Sequence, residues 1–446
     1  MGRFRFWGIL LFAVGLASVR AHAGATLLLE EPYSVDGTFA GTGHVAVYLD
    51  RVCADNPVVL RRCEPGEKGV VLSRYHGIGQ HDWYAISLIP YLYAVDSPDK
   101  VPIYADVRLR AFLRDQYRRE HLRDIVPDGS NGEMPEGPWV QLVGSAYDRT
   151  LYAFQIETSE ERDDELIAFL NDAPNTPRYK LISANCADFV RAVINFYYPG
   201  ALHRSVIADL GVTTPKQIAK CLARYSKHHR DLEFQRFVIP QVPGTIKRSK
   251  RVRGVVESAF KAKKYMVPLL VWHPAIVGAF AAAYFTGGGF DPASHALIFD
   301  PSRDLEPPMT AQQRVGYMNR LEAIQRSATE DVALEGEKWR ESVVEAEPLL
   351  DEAGRPVLRL KMGSVPIQVG VSRQNILEET ESPEMGRKLV LLRLHEELRK
   401  SPSKVAYSDV ARDLQLLEDL GSVRAERERL AAERETIVLG EPAKPR

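Results

Sequence analysis

Short segments of alternating apolar and polar residues dominate the first 160 positions of the chain. They are rich in β-branched and aromatic residues and end at turn-forming residues, a pattern typical of strands. Strands are predicted at 45–49, 58–62, 69–75, 83–88 and 152–156. Apolar positions at helical spacing predict helices at 105–121, 160–170 and 186–198, the last ending at Pro199 and Gly200. The pattern favours the α+β class, with an antiparallel sheet packed on helices.

The C-terminal region, 291–446, has a different pattern. Charged helical segments are predicted at 311–339, 385–400 and 407–435, and a small hairpin at 356–371 turning near Gly363. The last segment places opposite charges at helical spacing with few apolar positions, which favours a solvated helix. A coiled-coil contact would need a longer apolar seam than this segment provides. The region is therefore predicted to be mainly helical.

Composition sets the outer limits on domain number and partners. The chain has 446 residues, of which 45% are hydrophobic, and a formal net charge of −1. A chain of this size buries a large core and is predicted to form two or three domains. Eight Lys or Arg residues cluster between Lys247 and Lys264, whereas the sequence after Glu330 is rich in acidic residues. Because the overall balance is near neutral, no nucleic-acid partner is expected.

Residues 1–23 have the pattern of an export signal. Arg3 and Arg5 precede an apolar stretch at 8–19, and Ala21-His22-Ala23 has the small-x-small form of a cleavage site. The apolar stretch is too short for a comfortable membrane span. We therefore expect an exported protein that begins near residue 24 and lies in the periplasm or envelope. An uncleaved signal anchor is the alternative.

The segment 247–290 combines the basic cluster with an uncharged run at 265–290. Prolines interrupt the first half of this run, and three glycines at 287–289 close it. A membrane-spanning helix, a helix lying on the membrane surface and a buried helical hairpin all fit the apolar part at 267–286. We favour membrane contact, because the basic flank would meet anionic headgroups, and leave the topology open.

The four cysteines have different expected roles. Export favours a disulfide between Cys53 and Cys63, which flank a short excursion between strands, although two unrelated core residues would fit as well. Cys221 stands in a helical stretch and is typical of a buried small residue. Neither a zinc-type spacing nor a phosphate-binding glycine loop is found in the sequence, so we predict neither a metal site nor a cofactor.

Cys186 stands where an apolar run ends and an amphipathic helix begins. A thiol at a helix N-terminus faces unpaired backbone N–H groups and the positive end of the helix dipole, which favour the thiolate. His44 heads a β-branched strand well upstream and offers an imidazole base. Together they indicate a thiol enzyme in which the histidine precedes the cysteine.

This order, with a Gly-His-apolar strand and an Asn-Cys-x-x-Phe-Val helix start, resembles the circularly permuted NlpC-type papain-like superfamily. Within it, the sequence is most similar to the periplasmic domain of Lnb-type lipoprotein N-acyltransferases. The resemblance covers about 38–200 and implies that Cys186 is the nucleophile, His44 the base and Asn185 the polar residue before the cysteine. It also implies a third polar residue that orients the histidine. Its candidates are Ser73, His76 and Ser87.

The sequence patterns together with the resemblance divide the chain into five parts, and the resemblance implies a function. The parts are a signal peptide (1–23), a permuted papain-like cysteine domain (24–200), a helical extension (201–246), the basic and apolar segment (247–290) and the charged C-terminal region (291–446). The implied activity is thioester-forming acyl transfer or hydrolysis on lipid-linked esters or amides, with membrane lipid or lipoprotein as partner. A cell-wall peptide amidase and a catalytically inactive envelope-binding protein are the alternatives.

Overall fold

The computed structural model describes the chain from residue 24 onward with gaps. The described residues are 24–33, 42–205, 209–261, 290–301, 310–326, 345–362 and 365–378, with single positions at 278, 281, 338 and 341 and scattered positions between 387 and 432. The expected signal at 1–23 and nearly all of the apolar run at 267–286 lie outside them. In the part of the chain that is described, no helix combines the length and the apolar composition that crossing a membrane requires.

The helices and strands of the described residues are as follows. The strands are β1 Gly24–Glu30, β2 His44–Leu49, β3 Val52–Asn56, β4 Val59–Arg62, β5 Val70–Ser73, β6 Tyr84–Ser87, β7 Leu151–Glu157, β8 Gln235–Ile239, β9 Leu297–Ile298, β10 Glu347–Leu350, β11 Pro356–Met362 and β12 Val365–Gly370. The α-helices are α1 Leu88–Tyr93, α2 Val107–His121, α3 Ser145–Asp148, α4 Glu160–Asp172, α5 Cys186–Tyr197, α6 Pro215–Tyr225, α7 Val255–Lys261, α8 Ala311–Arg326 and α9 Arg373–Glu378.

A seven-stranded sheet organises the molecule, in the order β6-β5-β2-β1-β7-β8-β9. Strands β8 and β9 run parallel, and the other neighbouring pairs are antiparallel. The protein is therefore a mixed α/β structure. The sheet strands within 24–200 pair antiparallel, as expected for that part of the chain, and the parallel pair is formed by β8 and β9, which follow it. The parallel pair arises because β9 is reached by a long connection, which lets it enter in the same direction as β8.

Two hydrophobic cores cover the two faces of this sheet. Leu27, Leu29 and Val45 pack against α4, α5 and α6, whereas Leu28 and Ala46 pack against α1, α2 and α3. Because successive side chains of a strand point to opposite faces, this alternation places every residue of β1 and β2 on a known side. The two sides are called here the α5 face and the α1 face.

The central strand β1 is absent from the sequence prediction. All seven of its residues are buried, so it shows no alternation of apolar and polar positions. Strand β8 is also new, and it lies in the stretch expected to be a helical extension. The strands expected near 45–49, 58–62, 69–75, 83–88 and 152–156 are present, as are helices α2, α4 and α5.

The C-terminal region contains a separate small sheet. Strands β11 and β12 pair antiparallel across the expected turn, and β10 adds a third strand beside β11. Helix α8 covers the first part of the expected helix at 311–339. A third hydrophobic cluster joins α8 to α9 through Leu321 and Ile376. Most of the expected helices at 385–400 and 407–435 lies outside the described residues.

Candidate active site

The start of α5 is held by a reciprocal capping box. The Asn185 side chain accepts the Asp188 N–H at 3.0 Å, and the Asp188 carboxylate accepts the Asn185 N–H at 3.4 Å. The Asn185 amide also donates to the carbonyls of Leu181 at 2.9 Å and Thr213 at 3.0 Å. Its oxygen and its nitrogen are therefore both engaged by backbone groups. Asn185 fixes the position of the residue that follows it, which is Cys186.

Asp188 anchors the same helix start to the next segment of the chain. Its carboxylate accepts hydrogen bonds from Thr213 at 2.5 Å and Arg204 at 2.8 Å. Burial opposes ionisation of this carboxyl, but the hydrogen bonds from Thr213 and Arg204 hold its pKa below the ordinary value. The carboxylate is thus charged at neutral pH, next to the positive end of the helix.

The Cys186 thiol is buried, with 8% of the residue exposed. Burial raises its pKa to about 11, while the backbone N–H groups of Val45 and Ala187 pull the pKa the other way. The helix start does favour the thiolate, as the sequence indicates, but removal of solvent outweighs it. The resting form at neutral pH is therefore the protonated thiol.

His44 begins strand β2 on the α1 face. Its Nε2 lies 2.7 Å from Ser73 Oγ, and its ring stacks on Tyr75 with the centroids 4.8 Å apart. The Ser73 hydroxyl donates to the Val45 carbonyl at 3.5 Å, which favours the tautomer with the proton on Nε2. That tautomer leaves Nδ1 as the basic nitrogen. His44 is half-buried, and burial lowers its pKa to about 4.

The thiol and the imidazole lie on either side of one strand residue. The Cys186 sulfur is placed against the backbone N–H of Val45, whose side chain points to the α5 face. His44 precedes Val45 and points to the α1 face, where Ser73 and Tyr75 meet it. Among the hydrogen bonds of the described residues, none joins the sulfur to the imidazole. The predicted separation of roughly 3–5 Å between the two groups stays a prediction.

Ser73 is the candidate third residue that contacts His44. His76 is exposed and packs edge-on against Tyr179, with the ring centroids 5.3 Å apart. Ser87 is exposed at the end of β6. The contacts described for these two residues do not include His44. The tertiary structure therefore distinguishes Ser73 from the two alternatives that the sequence left open.

A buried ion pair beside His44 was missed at the sequence level. Glu30 ends strand β1 opposite His44, and its carboxylate lies 3.0 Å from the guanidinium of Arg149. Both residues are buried, and the charges of both act on the pKa of His44. The available signal was a charged residue closing an apolar run, but β1 itself was not recognised as a strand.

An exposed apolar turn precedes the thiol. Lys180 and Ala184 exchange backbone hydrogen bonds at 3.1 and 2.9 Å, which closes a tight turn. Leu181 and Ile182 stand on this turn and are 53% and 67% exposed. Aliphatic side chains so exposed are suited to contact an apolar ligand.

The remaining cysteines are accounted for as follows. Cys53 and Cys63 form a disulfide that ties β3 to the residue after β4. Cys221 is buried on α6, with its sulfur 3.2 Å from the Gln217 amide and 3.7 Å from the His203 ring. Burial raises the pKa of this thiol as well.

Two groups of described residues have ligand atoms close enough together to hold a metal ion. One contains both cysteines of the disulfide, whose sulfurs are already bonded to each other. The other comprises Asp96, Glu120 and His121, all exposed, with His121 Nε2 3.0 Å from Asp96 Oδ1. This second group lies on the surface.

Comparison of the chain with models of protein families, with curated proteins and with solved structures finds no match in any of the three. What the protein does must therefore be argued from its own residues.

Proposed function

We propose that the protein is an exported thiol-dependent acyltransferase or acyl hydrolase that acts on lipid-linked esters or amides through Cys186 and His44. The observation that carries the proposal is the placement of the thiol. It occupies the first position of a capped helix, against the amide of Val45, and the residue before Val45 is His44, whose ring is held by Ser73. A nucleophile, an adjacent base and a group that orients the base are the parts of a thiol-enzyme site.

Because the thiol and the imidazole are both neutral at rest, the thiol must lose its proton during the reaction. Nδ1 of His44 takes the thiol proton as the sulfur attacks the substrate carbonyl, and a carbon–sulfur bond forms. The leaving alcohol or amine takes that proton from the imidazolium as its bond to carbon breaks, which leaves a thioester on Cys186. Water or an amine then attacks the thioester and restores the thiol. A hydrogen bond between the Cys186 sulfur and the His44 imidazole has to form when substrate binds, since catalytic hydrogen bonds often form fully only in the substrate complex.

The backbone provides the oxyanion donors that this chemistry requires. The N–H groups of Cys186 and Ala187 lie at the open start of α5, where helix N–H groups lack partners within the helix. The N–H of Val45 approaches the same sulfur from the strand. Preformed donors of this kind stabilise the negative charge that develops on the carbonyl oxygen.

Two features support an apolar acyl substrate within a permuted papain-like fold. The exposed Leu181 and Ile182 stand directly before the thiol, where an acyl chain would approach. The histidine strand precedes the cysteine helix in the chain, and the helix packs on the sheet that contains this strand. This is the arrangement that the resemblance implies.

The test is to trap the thioester. The full chain is incubated with vesicles of radiolabelled phospholipid, and hydroxylamine-sensitive label on the protein is measured. We expect label on the wild type and on Cys221→Ala, the matched buried free cysteine, and none on Cys186→Ala. Release of peptide from peptidoglycan fragments without phospholipid labelling would support a cell-wall amidase instead. Absence of both from the wild type would contradict an enzymatic role.

A further inference from the structure

A buried ion pair lies one strand away from the candidate base. Glu30 is fully buried, and Arg149 is 4% exposed. Glu30 is the register partner of His44 in the β1–β2 pairing, and both side chains belong to the α1 face. Leu28 and Ala46, on the same face, belong to its hydrophobic core.

The carboxylate of Glu30 is fully engaged. Tyr91 donates a short hydrogen bond to Oε1, while Ser145 Oγ at 2.9 Å and the Arg149 guanidinium at 3.0 Å contact Oε2. The guanidinium also lies over the ring of Tyr33, 4.2 Å from its centroid. These contacts leave the carboxylate little freedom to move.

The pair is poorly explained as a stabilising device. Two charges moved out of water lose hydration that their mutual attraction seldom repays, and apolar residues of similar volume are often at least as stable. The Nε of Arg149 is buried and has no hydrogen-bond partner among the described residues, a further unfavourable contribution. Costly buried polar groups are typical of functional sites.

We propose that the Glu30–Arg149 pair positions His44 and controls how readily its imidazole accepts the proton of Cys186. The proposal rests on the proposed function of these two residues as base and nucleophile. Glu30 would stabilise the imidazolium that forms when the thiol gives up its proton, and Arg149 would limit that effect. Glu30 and Arg149 act through His44 and are thus positioning residues.

Among the described groups that face His44, only Glu30 and Arg149 carry a charge at neutral pH, so these two charges set the electrostatic effect on its imidazole. Strand β5 and the segment after it contribute the neutral Ser73 and Tyr75, and α1 contributes Tyr91. Burial raises the pKa of both tyrosines far above neutral pH, and that of Cys186 to about 11, so all three are uncharged. For the pKa of His44 itself, burial is the largest influence; Glu30 raises the value, and Arg149 lowers it.

The decisive test is the direction in which each of two substitutions, one at Glu30 and one at Arg149, changes the pKa of His44. The pKa of His44 is measured by NMR on the full chain, with the His44 signal identified by its loss in His44→Gln. Removing the negative charge in Glu30→Gln should lower the pKa, and removing the positive charge in Arg149→Gln should raise it, each by about one pH unit. A merely structural role would admit water in both variants and shift the pKa in the same direction, which would overturn the proposal.

Glu31→Gln is the matched control. Glu31 follows Glu30, but its carboxylate accepts hydrogen bonds from Tyr152 at 2.8 Å and Ser249 at 2.7 Å and not from groups beside His44. The Glu31→Gln substitution should therefore leave the pKa of His44 unchanged. Should Glu30→Gln fold poorly, the double variant Glu30→Gln/Arg149→Gln removes both charges together. The pKa of His44 in the double variant should lie below that in Arg149→Gln; a pKa equal to or above that of Arg149→Gln would contradict the proposal.

Measuring the kinetics of acyl transfer distinguishes a failure of this proposal from a failure of the proposed function. We expect Glu30→Gln to lower kcat by about tenfold or more with little change in KM, because the positioning acts on the proton transfer. Normal kcat in both single variants would overturn the proposal and leave the proposed function intact. If the wild type forms no thioester, the proposed function fails, whereas opposite pKa shifts would still establish the coupling of the pair to His44.

Discussion

At the scale of single residues, burial controls the chemistry of the site. Cys186 and His44 are both neutral at pH 7, because desolvation raises the pKa of the thiol to about 11 and lowers that of the imidazole to about 4. A preformed thiolate–imidazolium pair is therefore not the resting state. In the proposed reaction, proton transfer would therefore accompany nucleophilic attack, and the rate would depend on how His44 is oriented.

The raised thiol pKa predicts a distinctive pH dependence of alkylation. In a Cys221→Ala background, the rate of Cys186 modification by iodoacetamide should rise through pH 9 and level off only near pH 11. A plateau near pH 8 would contradict the burial argument. Because the folded protein keeps a proton that the unfolded chain loses between pH 9 and 11, this thiol should also make stability fall as the pH rises through that interval.

Ser73→Ala tests the orientation of the base. The substitution removes the hydrogen bond at 2.7 Å to His44 Nε2, so the ring loses both its anchor and its preferred tautomer. We expect kcat for acyl transfer to fall by about tenfold or more, with a loss of stability of only about 1 kcal/mol. Ser87→Ala, at the exposed end of β6, is the control and should leave kcat unchanged. Equal effects of the two variants on kcat would contradict a role of Ser73 in orienting His44.

At the scale of elements, the position of the thiol depends on how helix α5 begins. The capping box sets the first turn, and the two hydrogen bonds from the Asn185 amide tie it to the turn before it and to Thr213. Strand β2 meets this helix start at Val45. Gly43, just before the strand, has a φ of +73°, and a Cβ there would lie 2.1 Å from the Glu30 carbonyl oxygen. Only glycine lets β2 begin this close to β1.

Asn185→Ala should therefore affect both stability and reactivity. We expect a loss of about 2 kcal/mol in the free energy of unfolding, because the helix cap and the two anchoring hydrogen bonds are lost together. The alkylation rate of Cys186 at a fixed pH should change as well. The control is Ser159→Ala, which removes the N-cap of α4 and should cost about 1 kcal/mol without altering the thiol. Denaturant unfolding and alkylation kinetics measure the two effects.

At the scale of the whole molecule, the site lies where the two cores meet at one end of the sheet. Two hydrogen bonds hold the start of the basic segment at the same end of the sheet. The Ser249 hydroxyl donates to the Glu31 carboxylate at 2.7 Å, and the Lys250 N–H donates to the Pro32 carbonyl at 2.9 Å. Nearly all of the apolar run that follows in sequence lies outside the described residues. A membrane attachment through this segment would hold the thiol close to lipid.

Flotation with liposomes tests that attachment. Each basic residue that reaches anionic headgroups would contribute on the order of 1 kcal/mol, and this attraction weakens with salt. We expect the protein to float with anionic liposomes at low salt and to remain partly bound at high salt if the apolar run inserts. Vesicles of neutral lipid are the control for the charge effect. Protein that stays at the bottom under both salt conditions would contradict membrane attachment and weaken the case for a lipid substrate.

The sequence by itself determined the features that depend on neighbours along the chain. Helix periodicity, capping residues and strand alternation are local, so α5 with Cys186 at its start and β2 with His44 at its head were both predictable. The tertiary structure alone decided the central place of β1, the contact of Ser73 with His44, the high pKa of the thiol and the burial of Glu30 against Arg149. The physical reason is that strand pairing, desolvation and ion pairing act between residues far apart in sequence, and no local pattern records them.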